Sequence, residues 1–165
     1  MQIKTIQDLF VHLLSDTYSA EKQLTKALPK LARAASEPKL SEAFKMHLEE
    51  TQGQIERIDK VVDSVPELKL RRIKCVAMEG LVEEGAEVIE EVEKGPVRDA
   101  GLIAAAQKVE HYEIAAYGTL VTLAKQLGYK DAEKLLAETL AEEKETDGKL
   151  TLIAESGVNK KASAA

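Results

Sequence analysis

Tryptophan is absent, cysteine occurs once, and aromatic residues make up only 4% of the 165-residue chain. So few aromatics match a β-sandwich core badly, because such cores draw on aromatic and β-branched side chains. The single Cys75 rules out an intrachain disulfide and fits a reducing compartment. The opening MQIKTIQDLF lacks the apolar centre of a signal peptide. No apolar run approaches the ~20 residues that would span a bilayer. A basic surplus is missing too: 23 Lys and Arg stand against 29 Asp and Glu, for a net charge of −6. Neutralising nucleic-acid phosphates requires the opposite balance. No phosphate loop or Ser/His/Asp grouping of recognisable context is present. The expectation is a soluble, cytoplasmic protein that binds neither nucleic acid nor membrane.

What is there suits helices. Hydrophobic residues reach 44% and charged residues 32%, and the apolar share is mainly Ala, Leu, Val and Ile, interleaved with Glu and Lys. Turn signals fall at Ala35–Pro38, Ser64–Pro66, Lys94–Pro96 and Gly128–Asp131. They predict five helices near 5–34, 38–63, 67–93, 97–127 and 131–156, with Thr5 and Asp8 as a capping box. Pro29 is expected to kink or shorten the first. Short connections favour antiparallel neighbours, hence an all-α bundle with the middle helix as crossover. The bundle is expected over residues 1–157, followed by a flexible tail at 158–165.

The apolar stripes carry the functional signal. In the first helix the stripe runs Ile6, Leu9, Leu13, Thr17, Glu21, Leu24, Leu28, Leu31, and in the second Leu40, Ala43, His47, Glu50, Gln54, Ile58, Val61. The fourth reads Leu102, Ala106, Val109, Glu113, Tyr117, Leu120, Ala124, Leu127, and the fifth Leu136, Thr139, Glu143, Asp147, Leu150, Ile153. Each is apolar at both ends with a glutamate near its middle, so Glu21, Glu50, Glu113 and Glu143 are expected to converge in one layer. Burying an unpaired carboxylate costs several kcal/mol. Cations resolve that much negative charge, and two divalent metals balance four carboxylates.

Asp16-Thr17-Tyr18-Ser19-Ala20-Glu21-Lys22-Gln23, His47-Leu48-Glu49-Glu50-Thr51, Glu110-His111-Tyr112-Glu113-Ile114-Ala115 and Glu142-Glu143-Lys144 resemble the YciF-like bacterial stress proteins of the ferritin-like superfamily. The resemblance covers nearly the whole chain. It implies an antiparallel four-helix bundle with an additional crossover helix, a homodimer, and a dinuclear iron or manganese site. Ferritin-like sites take one Glu from each of two helices and a Glu-x-x-His pair from each of the others. Glu21 and Glu113 match the single glutamates, Glu50 and Glu143 the bridging ones. Gly53 and Thr146 stand where the histidines belong, and Gln54 and Asp147 follow one turn after the bridging glutamates. The metal ligands implied are therefore Glu21, Glu50, Gln54, Glu113, Glu143 and Asp147. An all-oxygen shell favours Mn or Fe over Zn or Cu.

The remaining residues leave alternatives open. His47 reads as an outer ligand, a donor to a ligand, or a satisfied histidine. Glu110 reads as a partner of Glu113 or a polar edge residue. Tyr117 either bonds a ligand or packs. His12 and His111 fall off the stripes, and Cys75 reads as a small buried hydrophobe. The third helix places Lys69, Arg71, Arg72 and Lys74 first and its glutamates last, against the helix dipole. That order is either a solvated face or an antiparallel contact between two copies.

Two functions fit. The leading one is a bacterial stress-response protein with a dinuclear iron or manganese carboxylate site, handling iron, oxygen or peroxide. The other is a non-catalytic dimeric helical stress protein with incidental or no metal binding.

Overall fold

The computed structural model describes residues 2–165, and every regular element among them is helical. The helices are α1 (Ile6–Ala34), α2 (Pro38–Ser64), α3 (Val76–Glu91), α4 (Pro96–Leu127), α5 (Lys130–Ile153) and α6 (Asn159–Ser163), with a π-helical turn at Ala154–Val158 joining the last two. No helix of the described residues is long and apolar enough to cross a membrane.

Local chemistry sets the ends. The Thr5 hydroxyl accepts from Asp8 N–H at 3.0 Å and the Asp8 carboxylate accepts from Thr5 N–H at 3.0 Å, so two otherwise orphaned donors of α1 are satisfied reciprocally. Pro38 and Pro96 open α2 and α4, where their missing N–H groups leave no bond unmade. Gly128 closes α4 at φ 73°, a left-handed position that favours glycine. Pro29 does not end α1, which runs on to Ala34.

The third helix departs from expectation. It starts at Val76, and residues 68–75 before it are non-helical. Side chains of α1, spaced one turn apart, hold this segment by its backbone. Ser15 Oγ accepts from Arg71 N–H at 2.9 Å, Ser19 Oγ from Cys75 N–H at 2.9 Å, and Gln23 Nε2 donates to the Cys75 carbonyl at 3.0 Å. Bonds that a helix would have made internally are thus made to α1. Leu68 is buried in the apolar cluster at one end of the bundle and Cys75 in the cluster at the other. Seven extended residues reach about 23 Å, against about 10 Å for the same length of helix. Lys69, Arg71, Arg72 and Lys74 therefore lie outside α3, and the proposed opposition to its dipole, with the contact between copies built on it, loses its basis.

Four long helices make the bundle. Ser41 of α2 donates to the Ala32 carbonyl of α1 across their hairpin. On the α2–α5 seam Arg57 meets Thr139 while Glu50 meets Thr146, so these helices run antiparallel. Leu31 of α1 clusters with Leu102 of α4, and Phe10 with Leu120, which makes that pair antiparallel as well. The long crossover leaves α2 and α4 pointing the same way. α3 lies against α1 and α4; Gly101 of α4 has no room for a Cβ, which would meet Val88 Cγ1 at 2.9 Å. At the C-terminus, within the segment expected as a flexible tail, Val158 is buried and Lys161 Nζ donates to Glu37 at 2.8 Å.

The apolar core is split. One cluster holds Leu24, Leu28, Leu40, Phe44, Leu102 and Leu150; the other holds Phe10, Leu14, Ile58, Tyr117, Leu120 and Leu136. Between them lies a polar layer. The hairpin at the first end is fixed by Asp99, 3% exposed, which accepts from Ser36 N–H at 2.7 Å and Glu37 N–H at 2.8 Å. Asp99→Ala orphans both donors and is expected to lower stability by about 2–3 kcal/mol, read from the urea midpoint at unchanged slope.

Candidate metal centre

The polar layer is assembled by helical repeats of three and four. On α2 the buried positions run Phe44, His47, Thr51, Gln54, Ile58; on α5 they run Leu136, Thr139, Glu143, Thr146, Leu150. α4 contributes Glu110, Glu113 and Tyr117, and α1 contributes Thr17 and Glu21. Apolar residues above and below on the same stripes keep water out of the level between them.

His47, Glu110, Glu113 and Glu143 each direct one ligand atom into a volume in which all four atoms lie within 4.8 Å of one another. His47 Nε2 is 3.1 Å from Glu110 Oε1 and 3.9 Å from Glu113 Oε2. Glu21, fully buried, lies beside Glu113 and accepts a short bond from the Tyr117 hydroxyl. Gln54 Nε2 donates to Glu143 Oε1 at 2.5 Å and Glu142 Oε2 at 3.0 Å. Arg57 holds Glu142 in turn with two bonds of 2.8 and 2.9 Å and donates to Thr139 at 2.7 Å. A chain of contacts from Arg57 through Glu142 and Gln54 thus fixes the rotamer of Glu143.

Many acceptors nevertheless remain without a partner. They include Glu21 Oε2, Gln54 Oε1, Glu110 Oε2, both oxygens of Glu113 and Glu143 Oε2, all buried. Native interiors rarely leave such groups unsatisfied. The set consists of hard oxygen donors around one imidazole, and it fits divalent Mn or Fe. The residues present could therefore hold a metal ion.

The electrostatics agree. Burial pushes the Glu21 carboxyl up to about 7, against the lowering pull of the Tyr117 hydroxyl. Burial, with the charges of Glu143, Glu21 and Glu110, holds Glu113 well above the ordinary carboxylate range. Burial and the neighbouring Glu110 do the same to Glu143. Burial opposes charge on His47, yet Glu110, Glu50 and Glu143 raise its pKa well above the ordinary value. These carboxyls share a low-dielectric site, and without cations they cannot all stay ionised.

Of the six residues marked in the sequence, Glu21, Gln54, Glu113 and Glu143 share this layer. Glu50 sits at its edge with a side chain 31% exposed, its Oε2 3.6 Å from His47 Nδ1 and 3.3 Å from the Thr146 hydroxyl. Asp147 turns away, bonded to Gln107 at 3.2 Å and near His111 Nε2 at 3.2 Å. Thr51 and Thr146 take the inward positions next to them. His47 and Glu110 enter the centre instead. Glu110 was visible as the first half of Glu110-x-x-Glu113, and His47 as the inward residue two turns before Gln54.

Two outcomes follow for the metal-free protein. Glu21, Glu113, Glu143 and His47 all hold their protons more tightly folded than unfolded. Their contribution to stability is complete below pH 4.5 and, for Glu21, is lost as pH rises through about 7. The Tm in chelator is expected to fall by at least about 5 °C between pH 5 and pH 8, and saturating Mn(II) to flatten that slope because metal binding displaces protons. Glu113→Gln removes the most poorly partnered carboxylate. It is expected to stabilise the chelated protein by about 1–3 kcal/mol at pH 8, and by less at pH 5, in urea unfolding. Glu50, whose pKa is lowered by its contact with His47, offers no such gain.

The family described as Domain of unknown function (DUF892) matches residues 5–163. Protein YciF of Escherichia coli (strain K12) is 72% identical over 162 residues, 98% of each chain. The crystal structure of the E. coli stress protein YciF superposes with a TM-score of 0.94, covering 96% of this chain and 100% of that one. YcfI of Rhodopseudomonas palustris superposes with a TM-score of 0.87 at 45% identity, covering 91% and 95% of the two chains. A Xanthomonas campestris protein at 22% identity, with a TM-score of 0.75, shares the fold. With nearly its full length matched by that family and by YciF, the chain belongs to the DUF892 family of YciF-like proteins.

Proposed function

We propose that this is a stress-response protein whose buried layer holds two iron or manganese ions in a ferritin-like bundle and handles iron, oxygen or peroxide. The observation that carries this reading is the set of buried, unpartnered carboxylate oxygens on α1, α4 and α5, at one level with His47 and Gln54 of α2. Two hairpins joined by a long crossover, with α2 and α4 parallel, support the ferritin-like part.

Glu21 and Glu113 would hold one side of the pair, and His47 with Glu110 the other. Glu143, fixed by Gln54, would be a further ligand, and Glu50 stands at the rim as an additional carboxylate. Such ions, when bound, would supply one-electron chemistry toward oxygen or peroxide. The protein's own part is positional. Arg57 and Glu142 orient Gln54 and so Glu143, the Tyr117 hydroxyl donates a hydrogen bond to Glu21, and the flanking apolar clusters exclude bulk water. Glu50 and His47 form a proton-bearing pair at the exposed edge of the site. The homodimer implied by the resemblance and the cytoplasmic setting expected from the sequence belong to the same proposal.

Metal analysis tests it. Protein purified without chelator and dialysed against Mn(II) or anaerobic Fe(II) is expected to retain about two ions per chain. Retention is expected to fall below one in Glu113→Gln/Glu143→Gln. Arg57→Ala is expected to weaken binding about 10–100-fold while leaving every ligand in place. An unaltered chain that retains neither metal would leave the layer structural.

A further inference from the structure

The net charge of −6 hides an uneven surface. Where the extended crossover lies along α1, a groove of about 470 Å³ opens between them. Lys22 and Lys26 line it from α1, Arg71, Arg72 and Lys74 from the crossover, and among the described residues no carboxylate lines it. Little nearby neutralises these charges. Lys74 pairs with Glu79, and Arg71 comes only to 4.0 Å of Asp8. Lys22 Nζ lies over the Tyr18 ring, 4.4 Å from its centre. Among the described residues no carboxylate stands within 4.0 Å of Lys22, Lys26 or Arg72. Lys22 and Lys26, one turn apart, repel each other along α1. With 29 acidic residues against 23 basic ones, composition alone does not produce such a cluster.

The backbone beneath it is fixed. Ser15 accepts from Arg71 N–H and Ser19 from Cys75 N–H, each at 2.9 Å, on either side of Arg72 and Lys74. Walls that are already held lose little freedom when a ligand enters. The Arg71 side chain is 24% exposed, and a partly buried guanidinium is screened less by salt than a free one. The surroundings set the size of the anion. Farther along α1, Lys30 and Arg33 share the next groove with Glu90, and α3, packed against α1, exposes Glu83, Glu84 and Glu87. A long polyanion leaving the first groove would run onto that acidic surface. A short anion of high charge stays inside. Its oxygens must face both walls, which a chain of tetrahedral phosphates offers and a planar carboxylate does not.

We propose that this groove binds a short phosphate chain, free or carried on a nucleoside, its oxygens bridging Arg71 and Arg72 of the crossover to Lys22 and Lys26 of α1. The site lies apart from the buried layer, and the inference does not rest on the metal reading.

Tripolyphosphate, ATP, orthophosphate and citrate are the probes, titrated by calorimetry into metal-free full-length protein after the chelator has been dialysed away. Tripolyphosphate is expected to bind once per chain, at least about tenfold more tightly than orthophosphate or citrate, and more weakly as salt rises. Arg72→Ala and Lys26→Ala, both at exposed positions, are expected to weaken it at least about threefold each at unchanged Tm. Lys108→Ala, which removes an exposed cation of α4, is expected to leave it unaltered. Amide NMR signals of residues 70–74 are expected to move and those of α5 to stay. ATP bound more tightly than tripolyphosphate makes a nucleotide the source, and equal or weaker binding makes it the free chain; either supports the site. Absence of saturable binding overturns the inference, as do equal affinities for tripolyphosphate and orthophosphate or citrate, or an equal loss in Lys108→Ala. A DNA oligonucleotide that binds more tightly than tripolyphosphate, and weakens in the same variants, would give the groove to nucleic acid and overturn it. A dimer that Arg72→Ala dissociates, with no phosphate bound, would seat the acidic α3 of a second copy there and overturn it as well.

Discussion

Charge burial governs this molecule. Glu21, Glu110, Glu113 and Glu143 are each no more than 1% exposed, and the one cationic side chain among them is His47. Four carboxylates against one imidazole is an arrangement that hydrophobic packing works to accommodate rather than one that packing produces. The rest of the structure is arranged around that cost. An apolar cluster lies on each side of the layer, so the stability that the layer lacks is supplied from both ends of the same four helices. Tyr117 and Gln54 satisfy an oxygen each, and the remaining lone pairs converge on one volume. Protons or metal ions can neutralise that volume, and exchange between the two couples pH to metal affinity.

Topology makes the convergence possible. A residue near the middle of each helix reaches the same level whichever way the helix runs, so four helices of similar length bring their central residues together. The crossover must then carry the chain from one end to the other without entering that level. An extended run does this with few residues, and the Ser15, Ser19 and Gln23 side chains supply its missing backbone partners. Only afterwards does α3 begin, with Cys75 Sγ accepting from Met78 N–H as its cap.

Helix positions and the existence of a central acidic layer were legible in the sequence because both depend on local pattern. Capping residues, Pro38, Pro96 and Gly128 mark ends by mechanisms confined to a turn. Glu113 and Glu143 stand where either reading of the 3.6-residue repeat places them inward. Glu50 and Asp147 show the limit. Each has a threonine as neighbour, Thr51 and Thr146, and a stripe stepping by three or four can choose either residue. The choice depends on the rotation of each helix, which is set by tertiary packing. In α1 the same ambiguity buries Phe10 and Leu14 where the sequence suggested Leu9 and Leu13. The non-helical start of the crossover was illegible for another reason. Residues 67–75 contain nothing that forbids a helix, and the partners that hold them extended lie more than fifty positions away in α1.

The asymmetry of the α2–α5 seam links this geometry to chemistry. Both sides of the centre contain carboxylates, but the closed side bonds them to Arg57 and Gln54, which leaves little to exchange with solvent. On the open side Glu50 remains partly exposed and touches His47, so that edge is where protons and small ligands can come and go. His47 therefore has two roles set by its two ring nitrogens: Nε2 faces the buried carboxylates and Nδ1 faces Glu50 at the exposed edge. A ligand bound at Nε2 fixes the tautomer that Nδ1 presents to Glu50. Whatever neutralises the buried layer at Nε2 would thereby alter what Nδ1 presents to Glu50.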